Sequence, residues 1–276
     1  MACITVSSTC LESAEFTKDV FCGSQTLQKI AEQLQFLTPP RVNTMEVEHL
    51  DENIGSKPEI MESAAVENDE FCLVNWRRKR AAVLICLFEG NEGELRVILT
   101  KRSMKLSSHP GDVALPGGKM EEGDVDFSAT ALREAMEEIG LDPHIVQVVA
   151  SLEPFISQHQ LKVVPVIGLL ARVEEFKPVL NTDEVDTLFD VPLEMFLKEE
   201  HHQWEEKEWR GWNYALHLFH FESEKGVFLI CGLTASILIE TASLIYQQSP
   251  CFQHHLRDFQ QLQKALNNNI HVCGNK

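Results

Sequence analysis

Ala81 to Phe88 (AAVLICLF) is an unbroken apolar run. A strand with one face in water alternates apolar and polar residues, so this run reads as a strand buried on both faces. Such a strand needs a layer of structure on each side, which confines the chain to a few architectures. Gly90-Asn91-Glu92-Gly93 is turn chemistry, and Leu95 to Thr100 (LRVILT) resumes as a second strand, giving a hairpin. Lys101 to Lys119 reads as a loop punctuated by Pro110, Gly111, Pro116, Gly117 and Gly118. Helix formers then run from Phe127 to Ile139, with Gly140 as a natural stop.

Ile145 to Leu152 and Leu161 to Val173 read as further strands, the second interrupted by Pro165 and therefore bulged or at an edge. Residues 192–199 suggest a short helix. Trp212 to Phe221 and Val227 to Cys231 suggest a closing pair of strands, followed by a helix from about Leu233 to Tyr246. Elements in this order predict an α/β sandwich around a mixed sheet rather than an alternating βαβ array.

The ends are less patterned. Thr26 to Leu37 has helical apolar spacing (Leu27, Ile30, Ala31, Leu34), stopped by Pro39-Pro40, and Met45 to Glu70 reads as a polar linker. The expected organisation is a weakly ordered acidic extension over 1–75 with one short helix, a folded domain over 76–250, and a tail over 251–276. Val227 to Tyr246 is twenty mostly apolar residues, but Gly232, Thr234, Ser236, Glu240 and Ser243 favour a buried strand and core helix over a membrane span.

With a formal charge of −18, nucleic acid and anionic membranes are excluded as general partners. The eight cysteines include no Cys-x-x-Cys pair and read as reduced thiols. Residues 1–23 hold Glu12, Glu15 and Asp19 with a single lysine and no arginine, unlike a signal or transit peptide. The expected compartment is therefore the cytoplasm, with the mitochondrion as the alternative.

Chemistry concentrates between Leu115 and Leu141. At about 100° per residue, Glu134 and Glu138 stand one helical turn apart with Glu137 close beside them. Crowded carboxylates repel, and a cation offsets the repulsion. All-oxygen ligands select Mg²⁺ or Mn²⁺ over zinc. Arg133 can fork onto one glutamate and hold it in place. The Gly117-Gly118 turn lets backbone carbonyls approach a metal and amides approach a phosphate. The plain alternative is a solvated glutamate face on a surface helix.

Gly118 followed by Arg133-Glu134-Ala135-x-Glu137-Glu138-x-Gly140-Leu141 resembles the signature of the Nudix hydrolases. That family usually has Glu after five residues and Arg after seven more. Here Asp124 takes the first spacing and eight residues separate it from Arg133, so Asp124 is assigned no metal. The resemblance implies a Nudix-type α/β/α sandwich with a mixed sheet over 76–250. It implies Glu134, Glu138 and Glu137 as metal ligands, with Glu137, Glu138 and Arg133 in the catalytic group and Glu137 a candidate base. Leu99 to Ser103, Leu106, His109 to Val113 and Leu115 to Gly118 resemble the accessory motif of the coenzyme A diphosphatase branch, which commonly carries Phe where Leu115 stands. Thr100 to Ser103, Glu153 to Phe155, Val191 to Leu197 and Gly232 to Ala235 are worded most like the plant members.

The implied reaction is metal-dependent hydrolysis of the diphosphate bond of coenzyme A and its thioesters, giving 3′,5′-ADP and 4′-phosphopantetheine. Lys101, Arg102, Lys105 and His109, with Gly117 and Gly118, are the expected substrate-binding residues; a solvated loop is the plain alternative. Arg77 to Arg80 reads as a solvated strand entrance. Glu153 and Glu184 fall where family members place a further ligand or base, and Trp204, Trp209 and Trp212 could stack on adenine. The alternatives are hydrolysis of ADP-ribose, NADH or an oxidised nucleotide, and a non-catalytic nucleotide-binding regulator. The expected partner is a small molecule, and a homodimer is allowed for.

Overall fold

The apolar run forms β1 (Arg80–Glu89), and its side chains divide as a strand buried on both faces requires. Ala82, Leu84, Cys86 and Phe88 point to one cluster, Ile85 and Leu87 to another. The computed structural model describes residues 24–35, 80–158, 161–209, 211–252 and 256–262. The expectations for residues 1–23, for the linker over 45–70 and for Arg77 to Lys79 lie outside the described residues.

β2 (Leu95–Arg102) completes the hairpin, and β3 (Val113–Ala114) and β4 (Gly117–Lys119) lie within the stretch expected to be loop. β7 (Lys162–Leu169) runs parallel to β1, with β5 (Gln147–Ser151) and β6 (Phe155–Ile156) antiparallel along its other edge. β8 (Val185–Pro192) pairs with β2. The main sheet is therefore mixed. Pro165 is neither bulged nor at an edge, because β7 lies between β1 and β5. Its carbonyl accepts from Leu152 N, so its missing N–H faces the break between β5 and β6, where no ladder bond is lost.

β1 and β2 pair at Leu87 to Glu89, opposite Leu95 to Val97, and then splay. The freed edge of β2 takes β3, and the freed edge of β1 takes β4. Leu84 N donates to Pro116 O inside this fork at 2.8 Å.

α2 (Phe127–Ile139) covers one face through Phe127, Ala131, Ala135 and Ile139. The other face is covered by α1 (Gln25–Leu34), α3 (Gly232–Tyr246) and a small separate sheet. That sheet is a meander of β9 (His202–Trp209), β10 (Trp212–Ser223) and β11 (Gly226–Cys231), where the sequence suggested a closing pair. The layers are thus α2, the mixed sheet, and α1 with α3 and the meander, in an α/β class fold.

Residues 192–199 hold a 3-10 turn over Leu193–Leu197. The apolar stretch from Val227 divides at Gly232 into a strand and a helix, and no helix among the described residues is long and apolar enough to cross a membrane. α1 buries Leu27, Ile30 and Leu34 in the main core although it precedes residue 76. Past residue 250, Phe252 is buried in that core, Phe259 and Leu262 pack on Tyr214, and Gln260 bonds both backbone groups of Ile156.

Candidate active site

The fork in the sheet and the inner edge of α2 meet at Gly117 and Gly118. A Cβ on Gly117, whose φ is +153°, would lie 2.3 Å from Ala82 O, so only glycine fits beside β1. A Cβ on Gly118 would lie 2.4 Å from the Glu134 carboxyl carbon. Glu134 thus rests directly on the glycine backbone. α2 is fixed over the turn by Asp126, whose side chain accepts from Ala129 N, and by Gly140 in the left-handed conformation.

Glu138 is 4% exposed and accepts from Gly117 N at 3.3 Å. Burial pushes its carboxyl up to about 8, and the charges of Glu134 and Glu184 add to the rise; Gly117 N–H and Arg102 oppose it. Glu134 is raised too, first by burial and then by Glu137 and Glu184, against the pull of Arg133. Glu137 is the exposed member, with its side chain 55% accessible.

Arg133 organises the group. Nη1 donates to Glu134 Oε1 and Glu137 Oε2, each at 3.1 Å. Nε and Nη2 donate to the two oxygens of Asp124 at 3.0 Å, and Nη2 also reaches Lys119 O. All the donors of Arg133 are committed within the chain, so it holds other groups rather than contacting a substrate. Asp124, its side chain 7% exposed, is held down at about 2, chiefly by that guanidinium. The sequence left Asp124 without a role; the structure makes it the anchor of Arg133.

The expected basic wall is divided. Lys101 and Arg102 are consecutive strand residues and point to opposite faces of the sheet. Lys101 shares the α3 side with Leu99 and pairs with Asp186 at 3.4 Å. Lys105 pairs with Asp183 at 2.8 Å, and His109 with Asp112 at 2.9 Å. Arg102 lies on the α2 side, where its charge acts on Glu138, and its buried Nε has no hydrogen-bond partner. Strand alternation was the signal that could have separated these residues, had β2 been read two residues further.

Glu184 is brought to the glutamates: its charge acts on both Glu134 and Glu138. Its backbone carbonyl accepts from Ser103 N, which pins it beside the end of β2. Glu153 is exposed at the end of β5. Trp204, Trp209 and Trp212 belong to the meander, across the sheet from α2, and Trp212 is 53% exposed.

Among the described residues, no three His, Cys, Asp or Glu side chains already converge as a metal cage. The donor set nevertheless fits a hard divalent cation. Glu134 and Glu138 are drawn out of water against their own repulsion, and a cation would relieve both penalties. Mg²⁺ keeps several waters and needs only one or two carboxylates, so a closed cage is not required.

A NUDIX domain model matches residues 78–212. The chain is 58% identical over 177 residues to Nudix hydrolase 15, mitochondrial, of Arabidopsis thaliana, an alignment spanning 64% of this chain and 62% of that protein. It is 47% identical over 232 residues to Nudix hydrolase 22, chloroplastic, of the same plant, spanning 83% and 76% respectively. It is 40% identical over 163 residues to the peroxisomal coenzyme A diphosphatase NUDT7 of Mus musculus, spanning 58% and 68%. These relatives are mitochondrial, chloroplastic and peroxisomal, which overturns the expectation of a cytoplasmic protein; that expectation rested on the composition of residues 1–23 alone. Nudix enzymes act on small-molecule nucleotide derivatives and generally use divalent metal cations. The chain belongs to the Nudix hydrolases, which cleave pyrophosphate bonds, and it is similar to both the plant members and the coenzyme A diphosphatases.

Proposed function

We propose that this protein hydrolyses the diphosphate bond of coenzyme A and its thioesters, releasing 3′,5′-ADP and 4′-phosphopantetheine or its acylated form. The observation that carries the reading is Arg102. Its buried Nε has no hydrogen-bond partner and its charge acts on Glu138, while Lys101, Lys105 and His109 are each engaged by a carboxylate. An anion bound beside α2 meets an available cation there. The similarity to the mouse coenzyme A diphosphatase supports coenzyme A as the substrate.

Glu134 and Glu138 would hold Mg²⁺ or Mn²⁺, with Glu137 reached once Arg133 releases it. When bound, such a cation supplies charge stabilisation to the diphosphate and lowers the pKa of a water. Glu137 is exposed and positioned to take a proton from that water. Arg102 binds the diphosphate and offsets charge on the departing phosphate. The Gly117 and Gly118 backbone lets the phosphate chain approach the helix. Ala131 and Ala135 seat α2 close to the sheet and keep that side of the site dry. We place the protein in an organelle, as its relatives are.

Product identification with coenzyme A and Mg²⁺ tests the reading. The expected products are the two named above, with Arg102→Gln raising KM more than it lowers kcat. A preference for ADP-ribose, NADH or an oxidised nucleotide would replace the substrate. Tight nucleotide binding without turnover would make the chain a regulator. Imaging a full-chain fusion checks the compartment.

A further inference from the structure

Arg80 reads in the sequence as part of a solvated strand entrance, but the sheet gives it a neighbour that lies far away along the chain. In the parallel register of β1 and β7, Arg80 stands directly opposite Lys162. Neighbouring strands put their two Cα atoms about 5 Å apart. Each residue is two positions ahead of a side chain packed under α2, Ala82 on β1 and Val164 on β7, so both cations point to the α2 face. On one flank is Met120, whose N–H donates to Arg80 O at 3.0 Å; on the other is Ile156, which pairs with Lys162. The row across the sheet is therefore two cations between two neutral side chains.

Like charges side by side on a sheet repel. With 42 acidic residues to 24 basic ones, the chain has carboxylates to spare, and Lys101, Lys105 and Arg133 each take one. Among the described residues, Arg80 and Lys162 take none. The pair also has a fixed relation to the glutamates. Ala82 pairs with Gly118, on which Glu134 rests, and Arg80 lies two residues further along the same face, about 7 Å away. In the opposite direction come Gly117, which donates to Glu138, and then Arg102, whose charge acts on Glu138. The glutamates thus stand between two cationic positions on one face of the sheet.

We propose that Arg80 and Lys162 form the subsite for the ribose 3′-phosphate of coenzyme A, and so set a preference for substrates that carry a phosphomonoester on the ribose. The inference rests on coenzyme A as the substrate. That molecule carries phosphate on both sides of one ribose, the diphosphate at the 5′ position and the monoester at the 3′ position, which matches two separate cationic positions. A phosphomonoester holds nearly two negative charges at neutral pH. The Arg80 fork can take two of its oxygens and the Lys162 ammonium the third. Both residues lie outside Leu99 to Gly118, the stretch that carries the resemblance to the coenzyme A diphosphatases. ADP-ribose and NADH have no phosphate at this position, so the same pair disfavours the rival substrates.

The test compares coenzyme A with dephospho-coenzyme A, which lacks only that phosphate, using the full chain and Mg²⁺. The wild-type chain should favour coenzyme A about 10- to 100-fold in kcat/KM, chiefly through KM. Arg80→Gln and Lys162→Gln should each lower that ratio about tenfold, and the double variant should bring it close to one. Arg80→Lys, which keeps the charge but not the fork, should retain part of it. Calorimetric titration gives a readout independent of turnover: 3′,5′-ADP should bind the wild-type chain more tightly than 5′-AMP by a similar factor, and the double variant should bind both alike. A wild-type chain with no preference in either comparison would overturn the proposal, and so would a preference that survives in the folded double variant. Arg80 is exposed, so Arg80→Gln alone decides the matter if the half-buried Lys162 cannot be replaced. Turnover of neither coenzyme would instead mark failure of the substrate reading, and the nucleotide titration would still decide the cation pair.

Discussion

α2 and α3 cover opposite faces of one sheet, and β1 gives alternate residues to each. Their construction differs. α3 is apolar nearly all round and buries Ala235, Ile237, Leu238, Thr241, Ala242 and Ile245. Its N-cap, Cys231, makes no side-chain capping bond. Each helix buries one threonine, but the inward stripe of α2 also carries a carboxylate, Glu138. α2 is capped by Asp126 at one end and by Gly140, whose N–H reaches Ala135 O and Met136 O, at the other. α3 is also closed at its C-terminus, by Gln247 in the left-handed conformation with its N–H on Ser243 O, so the two helices differ at their N-termini. The helix that gives up packing to carry carboxylates is the one with a side-chain N-cap, Asp126, which contributes about 1 kcal/mol.

The contrast can be broken in order of expected effect. Glu138→Gln should lower kcat by about 10²- to 10⁴-fold while leaving the fold intact. Retained turnover would mean that α2 is a packing helix like α3. Leu238→Ala on α3 should do the reverse, costing about 2–5 kcal/mol in urea unfolding with kcat per folded molecule unchanged. A selective loss of kcat there would show that the α3 side takes part in the chemistry.

Gly118→Ala sharpens the comparison further. The new Cβ strikes the Glu134 carboxylate, so Mn²⁺ affinity should fall about tenfold with a stability change near 1 kcal/mol. Unchanged affinity would mean that Glu134 has room to move aside.

The pH response separates the two faces next. Glu138 has an ordinary value of 4.5 and is pushed up to about 8 in the fold. The folded state therefore binds this proton more tightly than the unfolded chain does. Its contribution is fully present below about 4.5 and is lost as pH rises through about 8. Metal-free protein should melt at a lower temperature at pH 9 than at pH 6, Mg²⁺ should reverse the loss, and Glu138→Gln should flatten that slope. A melting temperature that rises over this interval would contradict the buried-carboxylate assignment. The smallest effect is on thiols: Cys86, buried and pushed up to about 12, should resist a thiol reagent at pH 8 that labels exposed Cys251 at once.

The two faces also differed in legibility. β1, the hairpin, α2 and α3 could be read because their burial is nearly uniform along the element or strictly periodic. β8 could not, since Asp186 and Asp190 interrupt its pattern, and β9 could not because its Glu205 to Glu208 stretch is exposed. The carboxylates of α2 were legible from helical spacing alone. The division of Lys101 from Arg102 depended on where β2 ends, and the reach of Asp124 to Arg133 depended on the fold of an irregular loop. Such a path leaves no periodic trace. The cationic contacts of Asp183 and Asp186 likewise arise from β8 and the turn before it, far from the basic residues in sequence.

The parallel pairing of β1 with β7 sets Arg80 opposite Lys162, and everything from β2 to β6, with α2, lies inside the loop it closes. Closing so long a loop is slow, because the entropy is lost before the contacts form. Until β7 docks, α2 has only part of a surface to lie on, and Glu138 stays hydrated. A chain emerging from synthesis therefore carries an apolar hairpin with one open edge and no working catalytic centre. That interval exposes it to aggregation and makes chaperone binding most useful while residues 80–169 are being made.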